Sequence, residues 1–304
     1  MTEATLLPDF TPHFAEIDGV RTRYFLAGEG PPLTVIHGLG GAAVNFTKLA
    51  PILARKRRVL IPDLPGHGRS EPFDHVEGVA TYSRHVHKVA ELEGMLPGGV
   101  LGYSMGGVIA LRLAVDEPED VTALALVAPA GIVSVTRRAE IWLGVTAALR
   151  PAQVMTRFRG TFARRPRLRW LPFGLWGAAD PPALEPDAVL GFLEGPSQHT
   201  DVGSAGRALL GDDPRPDLDR VRCPAFLVWG ARDRLVPVKD GFEYARRLRA
   251  PIRVLPACGH LVVGELAEPC AALLESFLDR VGKVDELPLE AELARQLRRE
   301  RADA

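Results

Sequence analysis

One serine in this chain sits where a nucleophile could be made. The run Gly102-Tyr103-Ser104-Met105-Gly106-Gly107 satisfies G-x-S-x-G. A near-continuous apolar stretch, Gly99-Val-Leu-Gly102, leads into it, and helical spacing over Gly106–Val115 follows. So sharp a strand-to-helix turn holds its serine in strained backbone geometry, and glycines at 102 and 106 leave room against neighbouring backbone. Ser104 Oγ is then pushed out above the sheet at a helix N-terminus, whose dipole favours developing negative charge. The pattern also arises as an incidental serine in a Gly-rich connection; the strand before it and the helix after it decide for the nucleophile. A serine hydroxyl needs a base to take its proton, and the base needs an orienting acid.

The elements that must position such groups alternate along the chain. Leu33-Thr-Val-Ile36, Arg58-Val-Leu-Ile61, Gly99-Val-Leu-Gly102, Ala123-Leu-Ala-Leu-Val127 and Ala225-Phe-Leu-Val-Trp229 read as strands buried on both faces of a parallel sheet. Phe46–Leu53, Val79–Met95 and Gly106–Val115 have helical spacing between them. Repeated β then α predicts an α/β fold with right-handed crossovers. Phe14 to Ala27 alternates around Asp18-Gly19 and predicts an antiparallel hairpin with a type I′ turn. The rhythm breaks after Ala130 and resumes at Cys223. Residues 131–213 therefore read as an inserted α-helical cap, 1–130 with 214–282 as the core, and 283–304 as a charged, solvated tail or helix.

Bulk properties exclude several classes. The chain has 304 residues, 46% hydrophobic and 25% charged, enough for one large core carrying an insertion. A net charge of −1 gives no reason to expect a nucleic-acid partner. Met1-Thr2-Glu3 opens no secretory signal, and Gly94–Leu111 is broken by Pro97 and six glycines, so no stable membrane insertion is expected. Three cysteines, Cys223, Cys258 and Cys270, imply no disulfide framework and suit the cytoplasm. Neither metal nor organic cofactor is implied; the partner is a small-molecule substrate, and oligomeric state is not readable.

From Phe14 to Leu278 the chain resembles the α/β-hydrolase superfamily, in its cap-bearing, esterase-like branch. The likeness rests on His37-Gly38-Leu39-Gly40-Gly41, Asp63-Leu-Pro-Gly-His-Gly-Arg-Ser70, the Ser104 turn, and two later loops, all in family order. It implies a catalytic triad in chain order Ser, Asp, His. Asp233, in Gly230-Ala231-Arg232-Asp233-Arg234-Leu235-Val236-Pro237, looks like the acid, and His260, in Ala257-Cys258-Gly259-His260-Leu261, like the base. Some relatives carry the acid one strand earlier, but Val127-Ala128-Pro129-Ala130 offers no carboxylate. Asp63, His37 and His67 read as turn-shaping. His13, His75, His85, His87 and His199 read as solvated surface histidines. The oxyanion hole is expected from the backbone N–H groups of Met105 and Leu39, with Gly40 as the alternative to Leu39.

Serine at 104 argues against dehalogenase and epoxide-hydrolase relatives, which need a carboxylate there. What remains is cleavage of an ester, lactone or thioester with a largely apolar acyl part. Hydrolysis of carbon–carbon bonds in meta-cleavage products is the nearest rival, against which Tyr103 stands as a departure. Acyl transfer, perhydrolysis and a non-catalytic receptor are further alternatives. Gly40, Tyr103, Trp142, Val236 and Leu261 are expected to border the substrate. The aromatics of residues 131–213 (Trp142, Phe158, Phe162, Trp170, Phe173, Trp176) line a pocket or seal the insertion against the core. Arg164-Arg-Pro-Arg-Leu-Arg169 reads as a solvated basic helix end rather than a membrane or anion contact.

Overall fold

The computed structural model describes residues 6–132, 151–174, 177–195 and 199–284. Its frame is a sheet built from β1 (Thr11–Ile17), β2 (Val20–Ala27), β3 (Pro32–Ile36), β4 (Arg58–Pro62), β6 (Gly98–Tyr103), β7 (Val121–Val127), β9 (Ala225–Gly230) and β10 (Ile252–Leu255). A separate pair joins β5 (His67–Gly68) to β8 (His199–Thr200). The eight-stranded order is β1-β2-β4-β3-β6-β7-β9-β10, parallel from β4 to β10, with β1 and β2 as the antiparallel hairpin. Asp18 and Gly19 both have positive φ, 49° and 77°, as a type I′ turn requires.

Alternate residues along the central strands feed two separate cores. Leu101, Ala123, Ala125, Val127, Phe226 and Val228 join one apolar cluster, whereas Val100, Leu124, Leu126, Leu227 and Trp229 join the other. That division is why the strands read as unbroken apolar runs: both faces are covered by helices. Val79–Leu92 and Met105–Asp116 pack on each other on one side, and Ala267–Val284 meets Ala50–Leu53 on the other.

Two helix expectations need correction. Phe46–Leu53 is not one helix but a 3-10 turn, Ala43–Phe46, followed by a single α-turn, Ala50–Leu53. Pro51 is tolerated in that first turn, where its missing N–H costs nothing. Asn45 closes the N-terminal end of the first piece, its Oδ1 accepting the Ala42 N–H (3.0 Å), and the two pieces are parted at Thr47–Leu49. The second helix stops at Leu92 rather than Met95, because Gly94 adopts φ +61° and turns the chain out of the helix.

Between β7 and β9 the described residues add helices and the two-residue β8, and no strand to the main sheet. Phe162, Phe173 and Phe192 from this excursion are buried in the same cluster as Phe46 and Tyr103. Phe173 meets Phe192 edge-on, with centroids 6.3 Å apart. These rings therefore seal the excursion to the core, while Phe158 and Trp170 are exposed. Helix Pro186–Glu194 lies on the 43–46 turn so closely that a Cβ at Gly191 would stand 2.3 Å from the Val44 carbonyl oxygen. Trp142, Trp176 and the tail beyond residue 284 lie outside the described residues.

Candidate active site

Ser104 follows the last residue of β6 and caps the helix Met105–Asp116 at φ +55° and ψ −120°. Its backbone is tied on both sides, its N–H to the Val127 carbonyl (3.0 Å) and its carbonyl to the N–H groups of Gly107 (2.9 Å) and Ala130 (3.1 Å). A Cβ at Gly102 would stand 2.3 Å from the Gly106 carbonyl oxygen, and one at Gly106 2.3 Å from that of Ile36. Only glycine fits either position. The left-handed conformation costs of order 1–3 kcal/mol, and these contacts hold it in place.

Asp233 follows β9 and His260 follows β10, so both loops open at the C-terminal edge of the sheet beside Ser104. His260 Nδ1 lies 2.7 Å from Asp233 Oδ2, and His260 Nε2 lies 3.0 Å from Ser104 Oγ. Asp233 is held by N–H donation from Leu235 (2.9 Å) and Val236 (2.8 Å) onto Oδ1. An ionised carboxylate only accepts, so Nδ1 carries the proton and Nε2 presents its lone pair to the serine hydroxyl. The order of hydrogen bonds is the one a base-activated serine needs.

A Cβ added at Gly38 would lie 3.0 Å from that of Ser104, which puts the His37–Gly41 loop against the serine. Met105 is the first residue of its helix, and neither its N–H nor that of Leu39 meets an internal acceptor among the described residues. Gly40 has φ +69° in the same loop. Tyr103 is buried, its ring centroid 5.4 Å from that of His260. Burial holds its phenol well above the ordinary range. Val236 and Leu261 are buried too, and their N–H groups go to Asp233 and Glu265. Both thus shape the loops that carry Asp233 and His260.

The other acids and histidines sort differently. Asp63 is fully buried and accepts from Arg23 Nε (2.6 Å), Ala43 N (2.8 Å) and Arg69 N (3.0 Å). His37 Nε2 accepts the Leu64 N–H at 2.9 Å, which requires a neutral ring there; burial and the neighbouring His67 push its pKa down to about 3. Turn-shaping describes these residues. His85 departs from the sequence reading. It is 2% exposed and bonds Thr22 Oγ1 at 2.8 Å, because it falls on the helix face that also carries Tyr82, Val86 and Val89. His87, Glu117 and Asp120 bring possible ligand atoms within 4.8 Å of one another, but His87 and Asp120 already bond each other at 2.7 Å.

Sequence reasoning missed Arg23, the counter-ion of Asp63 from the neighbouring strand β2, and Glu265. Glu265 accepts N–H groups on both sides of His260. Neither has a local signal, since each works through partners distant in sequence or through main-chain atoms. The basic run at Arg164–Arg169 divides. Arg164, Arg165 and Arg167 are exposed, but Arg169 is buried and donates to the carbonyls of Phe162 (3.0 Å) and Pro182 (2.9 Å).

Residues 31–265 match the alpha/beta hydrolase fold family, and the chain belongs to it. It is 31% identical over 275 residues (88% of this chain, 69% of the relative) to the dihydrolipoyllysine-residue acetyltransferase component of the acetoin cleaving system from Pseudomonas putida. It is 32% identical over 222 residues (73% and 83%) to a pimeloyl-acyl-carrier-protein methyl ester esterase from Chromobacterium violaceum. A 2-hydroxymuconate semialdehyde hydrolase from Pseudomonas putida is 29% identical over 267 residues (86% and 91%).

Proposed function

We propose that this protein is a serine hydrolase that cleaves an ester-type bond, a carboxylic ester, lactone or thioester, in a small and largely apolar substrate. The observation that carries the reading is the chain of contacts Ser104 Oγ to His260 Nε2 to Asp233 Oδ2, at 3.0 and 2.7 Å. In the proposed reaction His260 takes the Ser104 proton as Oγ attacks the acyl carbon, and the N–H groups of Leu39 and Met105 receive the oxyanion. The imidazolium returns its proton to the departing alcohol or thiol, leaving an acyl-enzyme. Water, deprotonated by His260, then releases the acid and restores Ser104. Asp233 keeps the ring in the working tautomer and stabilises the imidazolium.

Residues 131–213 serve in this reading as a cap over the site, with Gly40, Tyr103, Trp142, Val236 and Leu261 near the substrate. The reaction uses side chains and backbone amides alone, and a cytoplasmic small molecule is the expected partner. Among the described residues no helix is long and apolar enough to cross a membrane. The relative that hydrolyses a methyl ester supports this reading.

The test is a fluorophosphonate probe followed by mass spectrometry. Wild-type protein should carry the label on Ser104, and His260→Ala should lose it. A folded wild-type protein that stays unlabelled overturns the proposal. The 2-hydroxymuconate semialdehyde hydrolase relative favours a second reading, carbon–carbon bond hydrolysis. A panel of p-nitrophenyl esters, thioesters and a meta-cleavage product separates the two. Adding an alcohol or peroxide as competing acceptor would reveal acyl transfer.

A further inference from the structure

The base stands on a loop that is not self-supporting. After His260 the chain makes one helical turn, Val262–Glu265, and brings the Glu265 carboxylate back under the loop. Oε1 accepts the N–H of Leu261 and Oε2 that of Ala179 (3.1 and 2.7 Å), and the Gly259 N–H is shared between both at 3.1 Å. Gly259 and Leu261 flank His260, whereas Ala179 belongs to the excursion between β7 and β9. The same excursion turn accepts the His260 N–H on the Gly177 carbonyl (2.8 Å). The two turns touch directly. A Cβ at Gly259 would stand 2.1 Å from the Gly177 carbonyl oxygen and 2.5 Å from the Ala179 nitrogen.

We propose that Glu265 is a positioning residue for His260, and that it makes the Gly177–Ala179 turn of the excursion part of the support of the base. This rests on the reading of His260 as the base of the reaction. Two effects follow from the geometry. The carboxylate fixes the peptide on either side of the imidazole, and its charge favours the imidazolium that forms when Ser104 gives up its proton. Burial raises the Glu265 pKa, and the three backbone donors and His260 oppose that rise. Among the described residues, the other titratable groups beside the ring and its loop are Asp233, the Tyr103 phenol and, two residues before His260, the Cys258 thiol; Asp180 is the exposed acid next along the excursion turn. Both carboxylate oxygens are committed to donors, so glutamine is not a silent replacement. Either orientation of its amide aims an NH2 at the N–H of Leu261 or of Ala179.

The experiment follows the His260 ring by NMR in wild type and Glu265→Gln, alongside kcat, KM and the rate of fluorophosphonate labelling. The expected result is an imidazole titration displaced to lower pH, with the acid limb of kcat/KM displaced equally. The kcat and labelling rate should fall at least tenfold and KM should stay within about twofold. A folded Glu265→Gln with the wild-type titration and kcat overturns the proposal. Should that variant not fold, Glu265→Asp decides: it keeps the charge one methylene short. It is expected to hold the titration while lowering kcat, and a wild-type kcat would overturn the proposal. Failure of the hydrolase reading would show separately, as an unlabelled wild type, while the imidazole titration still reports on Glu265.

Discussion

Two buried aspartates, one after β4 and one after β9, are built almost alike and end in different roles. Asp63 accepts two backbone N–H groups, from Ala43 and Arg69, and Asp233 accepts two, from Leu235 and Val236. Each then spends its remaining oxygen capacity on one basic side chain. For Asp63 that is Arg23, a cation that cannot be deprotonated in a protein; for Asp233 it is His260, which can trade its proton. Around Asp63 the pairing closes the network and joins β2 to the turn after β4. Around Asp233 it leaves a nitrogen lone pair facing Ser104. The carboxylates do not differ in kind. What they face does.

The sharpest way to break the comparison is to remove its reactive end. Ser104→Ala should abolish probe labelling and lower hydrolysis by about 10^6-fold with the melting temperature unchanged. Asp233→Asn should cost about 10^4-fold in kcat through the wrong tautomer, measured on the best substrate of the ester panel. A change in the other pair, made on its cation, should leave chemistry per folded molecule alone and strike the fold. Arg23→Met strands a fully buried carboxylate, and urea titration should show a loss of about 3–5 kcal/mol. If Arg23→Met proved neutral in stability, the division of roles between the two aspartates would fall.

Acid should separate the regions again. The Asp63 side holds His37, and the hairpin beneath it meets His85, with pKa values pushed down to about 3 and about 4 by burial from the ordinary 6.5. Their folded-state values lie below those of the unfolded chain, so the unfolded chain takes up protons first. The contribution of these neutral rings is whole above pH 6.5 and is lost progressively as pH falls toward 4 and 3. The slope is up to about 1.4 kcal/mol per pH unit for each ring. Denaturation midpoints measured between pH 7 and pH 4 should fall, and His85→Gln should flatten the slope. Smallest of all, Trp170→Ser on the exposed side of the excursion should change stability by no more than about 0.5 kcal/mol. Phe173→Ala on its sealed side should cost about 3–5 kcal/mol.

The parts of this molecule that were legible in its sequence are those encoded locally. The strands announced themselves because both faces are buried, so every residue of Leu124 to Val127 had to be apolar. The Ser104 turn showed because its glycines answer to backbone contacts within a few residues and one neighbouring strand. Asp233 and His260 came from the likeness of their loops, each after a strand, to those of the superfamily. What could not be read depends on partners far off in the chain. Nothing near Asp63 points to Arg23, and nothing around Glu265 reveals that its acceptors serve Ala179. His85 looked like a surface residue because a helical period alone does not say which face packs. The split of Phe46–Leu53 into two short turns left no mark in the apolar spacing.

The contact between Gly259 and the Gly177–Ala179 turn bears on how such proteins are recombined. The helical excursion between β7 and β9 is a natural unit to exchange between related scaffolds. Here the seam of such a chimera cannot be drawn at the visible ends of the helical segment. The turn at 177–179 and the loop at 259–261 are one interlocked joint, with no space for a Cβ at residue 259. A transplant that brings the helices without a matching joint would misalign the loop that carries His260. Crossover points should keep both sides of that joint from the same parent.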